Sequence, residues 1–579
     1  MKKLIILFLA ICFFTSCKKV LDENPEYSIN NQNVFNSTAT TQMALDACYG
    51  YLISWNAYGQ AYFELTLGGS GESWAQTSGG DGDQLTSLNT LVSNGTLNQV
   101  WNGLYKAIGE CNSFIQNVNG GTLPDDQKNF YAAQAKFIRA LCYYDLVGIW
   151  GDVPLRITPS DISNLSLART PKADVYKQIA QDWDFAAQYL PEADNSAQQS
   201  LSVPTRYAAY AYLAKLYWTL GSNDNTSSSP NWAIAKMYGD SVLNANAYSL
   251  EPNFANLFKP APTNSKEIIF KLNTSTNLTG LGPRLSWLFA PSNSTTGISW
   301  GRYKASKALY DFFKGSYPDD PRLGVTFQSV YSNINTGALT YAYPYISYKK
   351  TINGVNQTVV DSINYSMLQD PTNPTIDELN QQDPLLVTKF SAATGNNEGW
   401  PYYKKYNDPK ATAQLSNSQI LVYRYADFLL LMADVYNEMG QEDVAVSLIN
   451  QVLARARNSA SPASVYPQDV TASLSQSELR DKIFNERLFE LAGEPDMFFD
   501  TRRRGVDYFS QVLQRNNNHH ITYTFATNPN IGHHNFMDRL FNGGNMTSDF
   551  LKKNLVLPIP QSELNTNDKI TQAEQNFGY

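Results

Sequence analysis

The chain has 579 residues, a net charge of −8 and a pI of about 5.2; 17% of its residues are charged and 13% are aromatic. It has no run of Lys and Arg longer than three residues, which argues against a nucleic-acid partner because phosphate binding needs clustered cations. Such a length can bury a large core and allows several domains. The 36 Tyr and 10 Trp suit a surface for neutral, ring-shaped polar ligands, although aromatic residues are also good core residues.

The amino terminus has the pattern of a lipoprotein signal. Two lysines precede an apolar run, Leu4–Phe14, which is shorter than the roughly 20 residues of a permanent membrane helix. Small residues then precede Cys17, as in a lipobox. This pattern predicts removal of residues 1–16, acylation of Cys17, and a lipidated tether over residues 17–33. An ordinary cleavable signal with an incidental cysteine is the alternative.

Three further cysteines, Cys48, Cys111 and Cys142, would remain in the mature chain. Their number is odd, and none has a CxxC or metal-binding spacing. Each lies among apolar residues in a helical pattern. We therefore expect small core residues rather than a disulfide framework.

Helical periodicity dominates residues 34–250, which we predict to be an N-terminal helical part. An acidic first turn begins one helix at Asp125, and Pro171 marks the start of the next. The predicted helices are Thr38–Tyr51, Gln99–Asn117, Asp125–Trp150, Lys172–Tyr189, Thr205–Leu220 and Trp232–Ala245.

The composition changes near residue 250. Residues 251–410 are rich in Asn, Ser, Gly, Pro and Tyr, with short strand-like pieces at Glu267–Leu272 and Val355–Val360. We predict a loop-rich subdomain inserted between helices. Binding groups commonly lie on such loops over a rigid scaffold.

Helices resume in residues 411–579, a predicted C-terminal helical part. Gln419–Gly440 and Glu442–Asn458 read as a helix pair joined at Gly440, and alanines on both helices permit close contact. Stacked helix pairs of this kind build helical-repeat proteins. The fold class predicted here is therefore mainly α.

Four stretches, in order, resemble the SusD/RagB family of outer-membrane nutrient-binding lipoproteins. They are AKFIRALCYYDLVGIWGDVPL (135–155), YRYADFLLLMADVYNEMG (423–440) with LINQVLARAR (448–457), IFNERLFELAGEPDMFFDTRRRG (483–505), and LVLPIPQSELNTNDKITQAEQNFGY (555–579). The chain departs from the family pattern at Pro495, Asp496 and Met497, at Phe577, and in an apparent insertion at Ala573-Glu574.

The resemblance implies tetratricopeptide-like helix pairs in a right-handed superhelical scaffold, with a less regular subdomain. It implies a lipid-anchored outer-membrane protein, facing the cell exterior, that captures glycans or, in some members, peptides. The implied partner is a SusC-like TonB-dependent transporter barrel that the protein covers as a hinged lid. No catalysis and no cofactor are implied; a structural cation such as calcium is left open.

An enzyme, such as a glycoside hydrolase, is the main rival class. Glu486 and Glu490 are separated by one helical turn, but the following arginines, Arg502–Arg504, are predicted to pair with them. The four histidines form two adjacent pairs, His519-His520 and His533-His534, near Asp538. Neighbouring residues in an extended loop point to opposite sides, so a solvated loop is favoured over a metal site.

The tryptophans divide into two groups. Trp101, Trp150, Trp183, Trp218 and Trp232 lie in helical patterns and are predicted to be core residues; Trp55 has no clear place. Trp74, Trp287, Trp300 and Trp400 lie in loop-like contexts, where an indole can cover the apolar face of a pyranose while polar groups bind its hydroxyls. The predicted ligand-binding residues are Trp74, Asp83, Trp287, Trp300, Arg302, Tyr303 and Trp400, with Asp81 close to Asp83. We expect a neutral glycan, with a peptide as the alternative within the family.

Overall fold

This computed structural model is mainly helical, with short strands between the helices. It describes residues 34–75, 80–192, 202–260, 264–274, 282–294, 299–352, 354–362, 400–411, 414–471, 474–518, 522–523, 534–535 and 541–579. The predicted signal, Cys17 and the tether lie outside the described residues. The α-helices are α1 Thr38–Ile53, α2 Ala61–Gly69, α3 Asp81–Thr86, α4 Gly95–Gly120, α5 Asp125–Trp150, α6 Lys172–Tyr189, α7 Arg206–Asp224, α8 Asn231–Ala245, α9 Leu285–Phe289, α10 Lys307–Ser316, α11 Pro321–Thr326, α12 Tyr425–Glu438, α13 Glu442–Asn458, α14 Gln476–Glu490, α15 Asp496–Arg502, α16 Val506–Asn518, α17 Ser548–Lys553 and α18 Gln561–Thr566.

The strands are short and form a four-stranded sheet and several two-stranded pairs. They are β1 Ser73–Ala75, β2 Ile268–Leu272, β3 Tyr303–Ala305, β4 Phe327–Gln328, β5 Val330–Ser332, β6 Leu339–Tyr341, β7 Tyr345–Ile352, β8 Val355–Ser362, β9 Tyr402–Tyr403, β10 Ile420–Arg424, β11 Thr522–Tyr523 and β12 His534–Asn535.

The helical scaffold follows from local sequence signals. Helices α5, α6 and α13 have the predicted bounds, because each has an acidic first turn and an apolar periodicity that can be read directly from the sequence. Helix α5 packs against α4 and α6, and α7 packs against α6 and α8. The mainly α fold with paired helices is confirmed.

One predicted helix, Gln419–Gly440, is wrong in its first part. Ile420–Arg424 forms strand β10, which pairs antiparallel with β2, and α12 begins only at Tyr425. The run Ile-Leu-Val-Tyr has high strand propensity, and the partner strand lies about 150 residues away in the chain. The apolar periodicity of this segment alone could not reveal that pairing.

The core contains the residues that were expected there. The five tryptophans of the helical patterns are each at most 2% exposed, and the three described cysteines are fully buried and free. The carboxyl-terminal segment closes the end of α5: the N–H of Leu557 donates to the carbonyl of Ile149 at 2.8 Å, and Trp150 Nε1 donates to the carbonyl of Pro558 at 2.9 Å.

Strand pairing joins the predicted parts of the chain. Strand β1 of the N-terminal part pairs with β3 of the loop-rich segment, and β2 of that segment pairs with β10 of the C-terminal part. The domain boundaries at residues 250 and 410 stay predictions. The middle segment is held on the helices by these pairings, which places its loops beside α2 and α3.

Candidate binding site

The four-stranded sheet β1-β3-β9-β4 sorts the candidate residues between its two faces. Trp74 lies opposite Lys304, which in turn lies opposite Tyr402, so these three side chains share one face. Ala75 and Tyr303 pair on the other face, which packs into the core. Alternation along β3 therefore decides the placement of Tyr303.

Tyr303 was predicted to contact ligand, and the structure places it inside the protein. Its side chain is 0% exposed, and its hydroxyl has no hydrogen-bond partner among the described residues. Burial raises the pKa of Tyr303 well above its usual value, with the charge of Glu64 adding to the effect. This placement argues against Tyr303 as a ligand contact, because the strand turns its side chain to the core.

Two predicted indoles, Trp74 and Trp400, stack on each other. Their ring centroids lie 5.1 Å apart and their planes differ by 8°. Lys304 Nζ lies 5.4 Å from the ring centre of Trp74, and Lys307 Nζ lies 4.7 Å from that of Trp400. Trp74 is half-buried, whereas Trp400 is only 9% exposed, so Trp74 presents the more accessible ring of this pair.

Trp287 and Trp300 form a second pair. Helix α9 carries Trp287, and the segment before β3 runs back along that helix, with the N–H of Trp300 donating to the carbonyl of Trp287 at 2.6 Å. The ring centroids lie 4.6 Å apart at an angle of 37°, and both side chains are half-buried. Both tryptophans were predicted ligand contacts, and the structure brings their rings together.

Two arginines flank this second pair. The guanidinium of Arg302 lies 4.7 Å from the ring centre of Trp300. That of Arg284 lies 5.5 Å from Trp287 and 3.1 Å from Trp55. Cations over indole faces are favourable. We call Trp55, Arg284, Trp287, Trp300 and Arg302 the aromatic–arginine row.

Sequence reasoning missed Trp55 and Arg284. Trp55 Nε1 donates to the carbonyl of Gly282 at 2.8 Å, and the N–H of Arg284 donates to the carbonyl of Gly59 at 2.9 Å, so the loop after α1 holds α9 in place. The spacing of Arg284 and Trp287, three residues apart at a short helix, was the available signal for Arg284. No local signal links Trp55 to them.

Acidic groups balance the charge at the row. Arg302 Nη1 lies 3.7 Å from Glu64 of α2, a carboxylate that is 2% exposed. Burial raises the pKa of Glu64, while Arg302 opposes that shift and Asp81 adds to it. Asp81 and Asp83, at the start of α3, are half-buried. Arg284 and Arg302 therefore set two positive charges against Glu64 and the nearby Asp81 and Asp83, which leaves little net charge at the site.

The carboxylates of the rival enzyme class lie elsewhere and are fully buried. Arg322 Nη1 contacts Glu486 at 2.6 Å and Glu490 at 2.8 Å. The predicted partners Arg502–Arg504 are wrong: Arg503 and Arg504 pair with Asp434, and Arg502 donates to backbone carbonyls such as that of Gly69. The turn after α14 directs those arginines into the helical scaffold. The two carboxylates therefore have the structural role that was predicted, but their partner is Arg322.

The residues that the structure describes include no cluster of three or more His, Cys, Asp and Glu suited to a metal ion. His519, His520, His533 and Asp538 lie outside the described residues, and His534 is described only as part of β12. Over the same described part of the chain, no helix is both long and apolar enough to cross a bilayer.

Two sequence models of known families together match nearly the whole chain. A sequence model described as the SusD family matches residues 209–579, and one described as "Starch-binding associating with outer membrane" matches residues 19–218. The chain belongs to the SusD family. The family resemblance is thereby confirmed. SusD-family proteins are carbohydrate-binding proteins rather than enzymes, in line with the prediction of a non-catalytic protein.

Relatives of this SusD-family chain span most of its length. SusD-like protein P2 of Formosa agariphila is 26% identical over 521 residues, which are 87% of this chain and 91% of that protein. A SusD homolog from Bacteroides thetaiotaomicron has a TM-score of 0.70 at 18% identity and covers 95% of this chain and 98% of its own. A "Laminarin binding SusD-like protein" has a TM-score of 0.62 at 20% identity, covering 94% and 100%. These structures show the shared fold.

Proposed function

We propose that this SusD-family protein captures neutral oligo- or polysaccharide at the cell surface and delivers it to a SusC-like TonB-dependent transporter, which it covers as a lid. The observation that carries the glycan part is the aromatic–arginine row. Trp287 and Trp300 supply adjacent, half-buried indoles, and guanidinium groups lie on both flanks of the pair.

The chemistry of the row suits an uncharged sugar. An indole packs on the apolar C–H face of a pyranose, and guanidinium groups and nearby carboxylates form hydrogen bonds with its hydroxyls. The near balance of Arg284 and Arg302 against Glu64, Asp81 and Asp83 gives no strong preference for an ionic ligand. Laminarin and starch, named for a structural neighbour and for the matching family description, are both uncharged glucans.

The amino-terminal sequence and the family support the proposed anchor and partner. Acylation of Cys17 would tie the body to the outer membrane by residues 17–33, with the ligand site facing the cell exterior. The family description that matches residues 19–218 includes association with the outer membrane. Capture of this kind needs no cofactor, and none is proposed.

Affinity electrophoresis tests the ligand and the site together. Full-length protein in detergent is run through gels containing neutral or acidic polysaccharides. We expect retardation by a neutral polysaccharide, little changed by added salt because stacking and neutral hydrogen bonds are not screened. A Trp287→Ala/Trp300→Ala variant should lose at least tenfold in affinity.

The control removes two exposed aromatic rings elsewhere, in a Tyr51→Ala/Phe577→Ala variant, which should migrate like wild type. Trp74→Ala alone then measures the contribution of the other tryptophan pair. Retardation by no polysaccharide would refute glycan capture, and retention of peptides instead would favour the family's other ligand class. If the Trp287→Ala/Trp300→Ala variant is retarded by the polysaccharide as strongly as wild type, the aromatic–arginine row is not the binding site.

A further inference from the structure

Residues 55–64 connect the aromatic–arginine row to the helical scaffold. The segment begins with the first tryptophan of the row. The carbonyl of Gly59 accepts a hydrogen bond from the N–H of Arg284 at 2.9 Å, and the carboxylate of Glu64 lies 3.7 Å from Arg302 Nη1. The segment therefore contacts the row at both of its arginines.

The other side of the same segment is bound to Asp145 of α5. Tyr58 and Tyr62 stack with their ring centroids 4.2 Å apart, and their hydroxyls donate to the Asp145 carboxylate at 2.6 and 2.8 Å. All three side chains are buried. The two tyrosines thus link Asp145, which lies outside the row, to the backbone that carries the row.

A cavity of about 30 Å³ lies beside Asp145, between α2, α5, α7, β10 and α15. Lys215 is the cation on its lining, and it is already paired with Asp427 at 2.8 Å and with Asp496 at 2.6 Å. Burial raises the pKa of Asp145 to about 7 and that of Asp496 to about 6. The titratable groups that line the cavity with Asp145 are Tyr58, Tyr62, Tyr144, Tyr212, Lys215 and Asp496.

The charge of Asp145 decides how firmly the two tyrosines are bound. As a carboxylate, Asp145 accepts both hydroxyl hydrogen bonds, and bonds to an ionised acceptor are roughly twice as strong as neutral ones. After protonation one carboxyl oxygen carries a hydrogen, and both bonds lose their ionic contribution. Residues 55–64 are therefore held more firmly when Asp145 is ionised.

We propose that Asp145 is a positioning residue for the aromatic–arginine row: its ionised carboxylate, acting through Tyr58 and Tyr62, holds residues 55–64 in the arrangement that binds glycan. This inference rests on the proposed function, which makes the row the glycan site. Glycan affinity should then fall as the pH drops from 8 to 6, because protonation of Asp145 loosens the segment.

Tryptophan emission tests the positioning without any glycan. Full-length protein in detergent is measured between pH 5.5 and 8.5, and the spectrum of a Trp55→Phe variant is subtracted, so that the difference reports Trp55. We expect one step with a midpoint near pH 7, because the Trp55 ring centre lies 3.1 Å from the guanidinium of Arg284 and moves relative to it. The same difference measured in an Asp145→Asn background should show no step, since its side chain is neutral at every pH.

Isothermal titration with laminarin, a neutral glucan, tests the effect on binding. Wild type should bind about fivefold more weakly at pH 6 than at pH 8, a typical size for coupling between two sites. Asp145→Asn should bind with the weaker affinity at both pH values. A protein that bound no laminarin at either pH would fail the proposed function with that glucan, while the emission step would still decide the role of Asp145.

A second variant keeps the test valid if Asp145→Asn does not fold. Tyr58→Phe/Tyr62→Phe removes both hydroxyls, keeps both rings, and should also abolish the emission step. Tyr49→Phe is the matched control, because it removes a buried hydroxyl that is bound to Gln134 at 3.1 Å and should leave the step in place.

Three results would each overturn the proposal. They are the absence of an emission step in wild type, a step that survives in Asp145→Asn, and equal laminarin affinity at pH 6 and pH 8 in protein that shows the step. A surviving step would belong to another carboxylate, such as Asp496 or Glu64, whose pKa values are also raised by burial.

Discussion

The carboxylate of Glu490 receives three guanidinium groups: Arg322 at 2.8 Å, Arg424 at 2.9 Å and Arg455 at 2.5 Å. Burial alone would raise the pKa of Glu490, but the three cations outweigh it and hold the pKa well below its usual range. The stability that this depressed pKa contributes is present above the unfolded-state pKa and is lost as pH falls through the folded-state value. Glu490 therefore joins β10, α11, α13 and α14 as a structural group.

We expect Glu490→Gln to lower the free energy of unfolding at pH 7 by about 3–5 kcal/mol, because it leaves buried guanidiniums without their shared anion. Urea denaturation measures this change. The control is Lys177→Gln, which removes an exposed ion pair with Asp174 and should change stability little. A loss in Glu490→Gln no larger than in the control would contradict the structural role.

The pKa of Asp145, in α5, shifts in the opposite direction, upwards. Burial raises its pKa to about 7, although hydrogen bonds from Tyr58 and Tyr62, at 2.6 and 2.8 Å, and the charge of Lys215 oppose the shift. The folded state thus holds this proton more tightly than the unfolded chain does. The raised pKa makes folding less favourable as pH rises from about 4 towards about 7.

An Asp145→Asn variant has no carboxyl group at this position, so it does not lose stability in this way as the pH rises. The stability of wild type relative to the variant should fall by about 1.4 kcal/mol for each unit of pH across that window. Urea denaturation of both proteins between pH 4.5 and 7 measures it, and the other titrating groups largely cancel in the difference. A difference that stays constant with pH would show that Asp145 keeps an ordinary pKa.

At the scale of elements, local caps set where helices begin. Helix α14 starts with a capping box: Ser475 Oγ accepts from the N–H of Glu478 at 3.3 Å, and the Glu478 carboxylate accepts from the N–H of Ser475 at 2.8 Å. The helix then carries Glu486, Arg487 and Glu490 into the buried charge network. Its amino-terminal cap thereby helps to position that network.

We expect Ser475→Ala to cost about 1 kcal/mol of unfolding free energy, because the first turn loses a side-chain acceptor. Thermal or urea unfolding detects it. Ser447→Ala, at an exposed position inside α13, removes a hydroxyl without a capping role and should be close to neutral. Equal effects of the two substitutions would argue against the cap.

At the scale of the whole molecule, tertiary pairing fixes the loops that carry the candidate binding residues on the helical body. Strands β1 and β3 connect residues 73–75 with 303–305, and the N–H of Arg284 reaches the carbonyl of Gly59. The tether, residues 17–33, would connect the proposed lipid on Cys17 to this helical body. Placement at the cell surface would therefore depend on a single residue outside the described structure.

We expect Cys17→Ala to move the protein from the membrane fraction to the soluble fraction and to abolish labelling by a radioactive fatty acid, because two or more acyl chains are needed for stable anchoring. Cys48→Ala is the matched control, since that thiol is buried in the core. Membrane retention of unlabelled Cys17→Ala protein would contradict the anchor.

The sequence by itself determined the helical scaffold. Helices α5, α6 and α13 were predicted with their bounds, and the buried tryptophans were assigned correctly, because acidic first turns and apolar periodicity are local signals. The ordered motifs also established the family. Tertiary structure alone decided that Ile420–Arg424 is a strand, that Tyr303 faces the core, and that Arg322, Arg424 and Arg455 converge on Glu490. It likewise placed Trp55 under Arg284, since each of these contacts joins residues that are far apart in the chain.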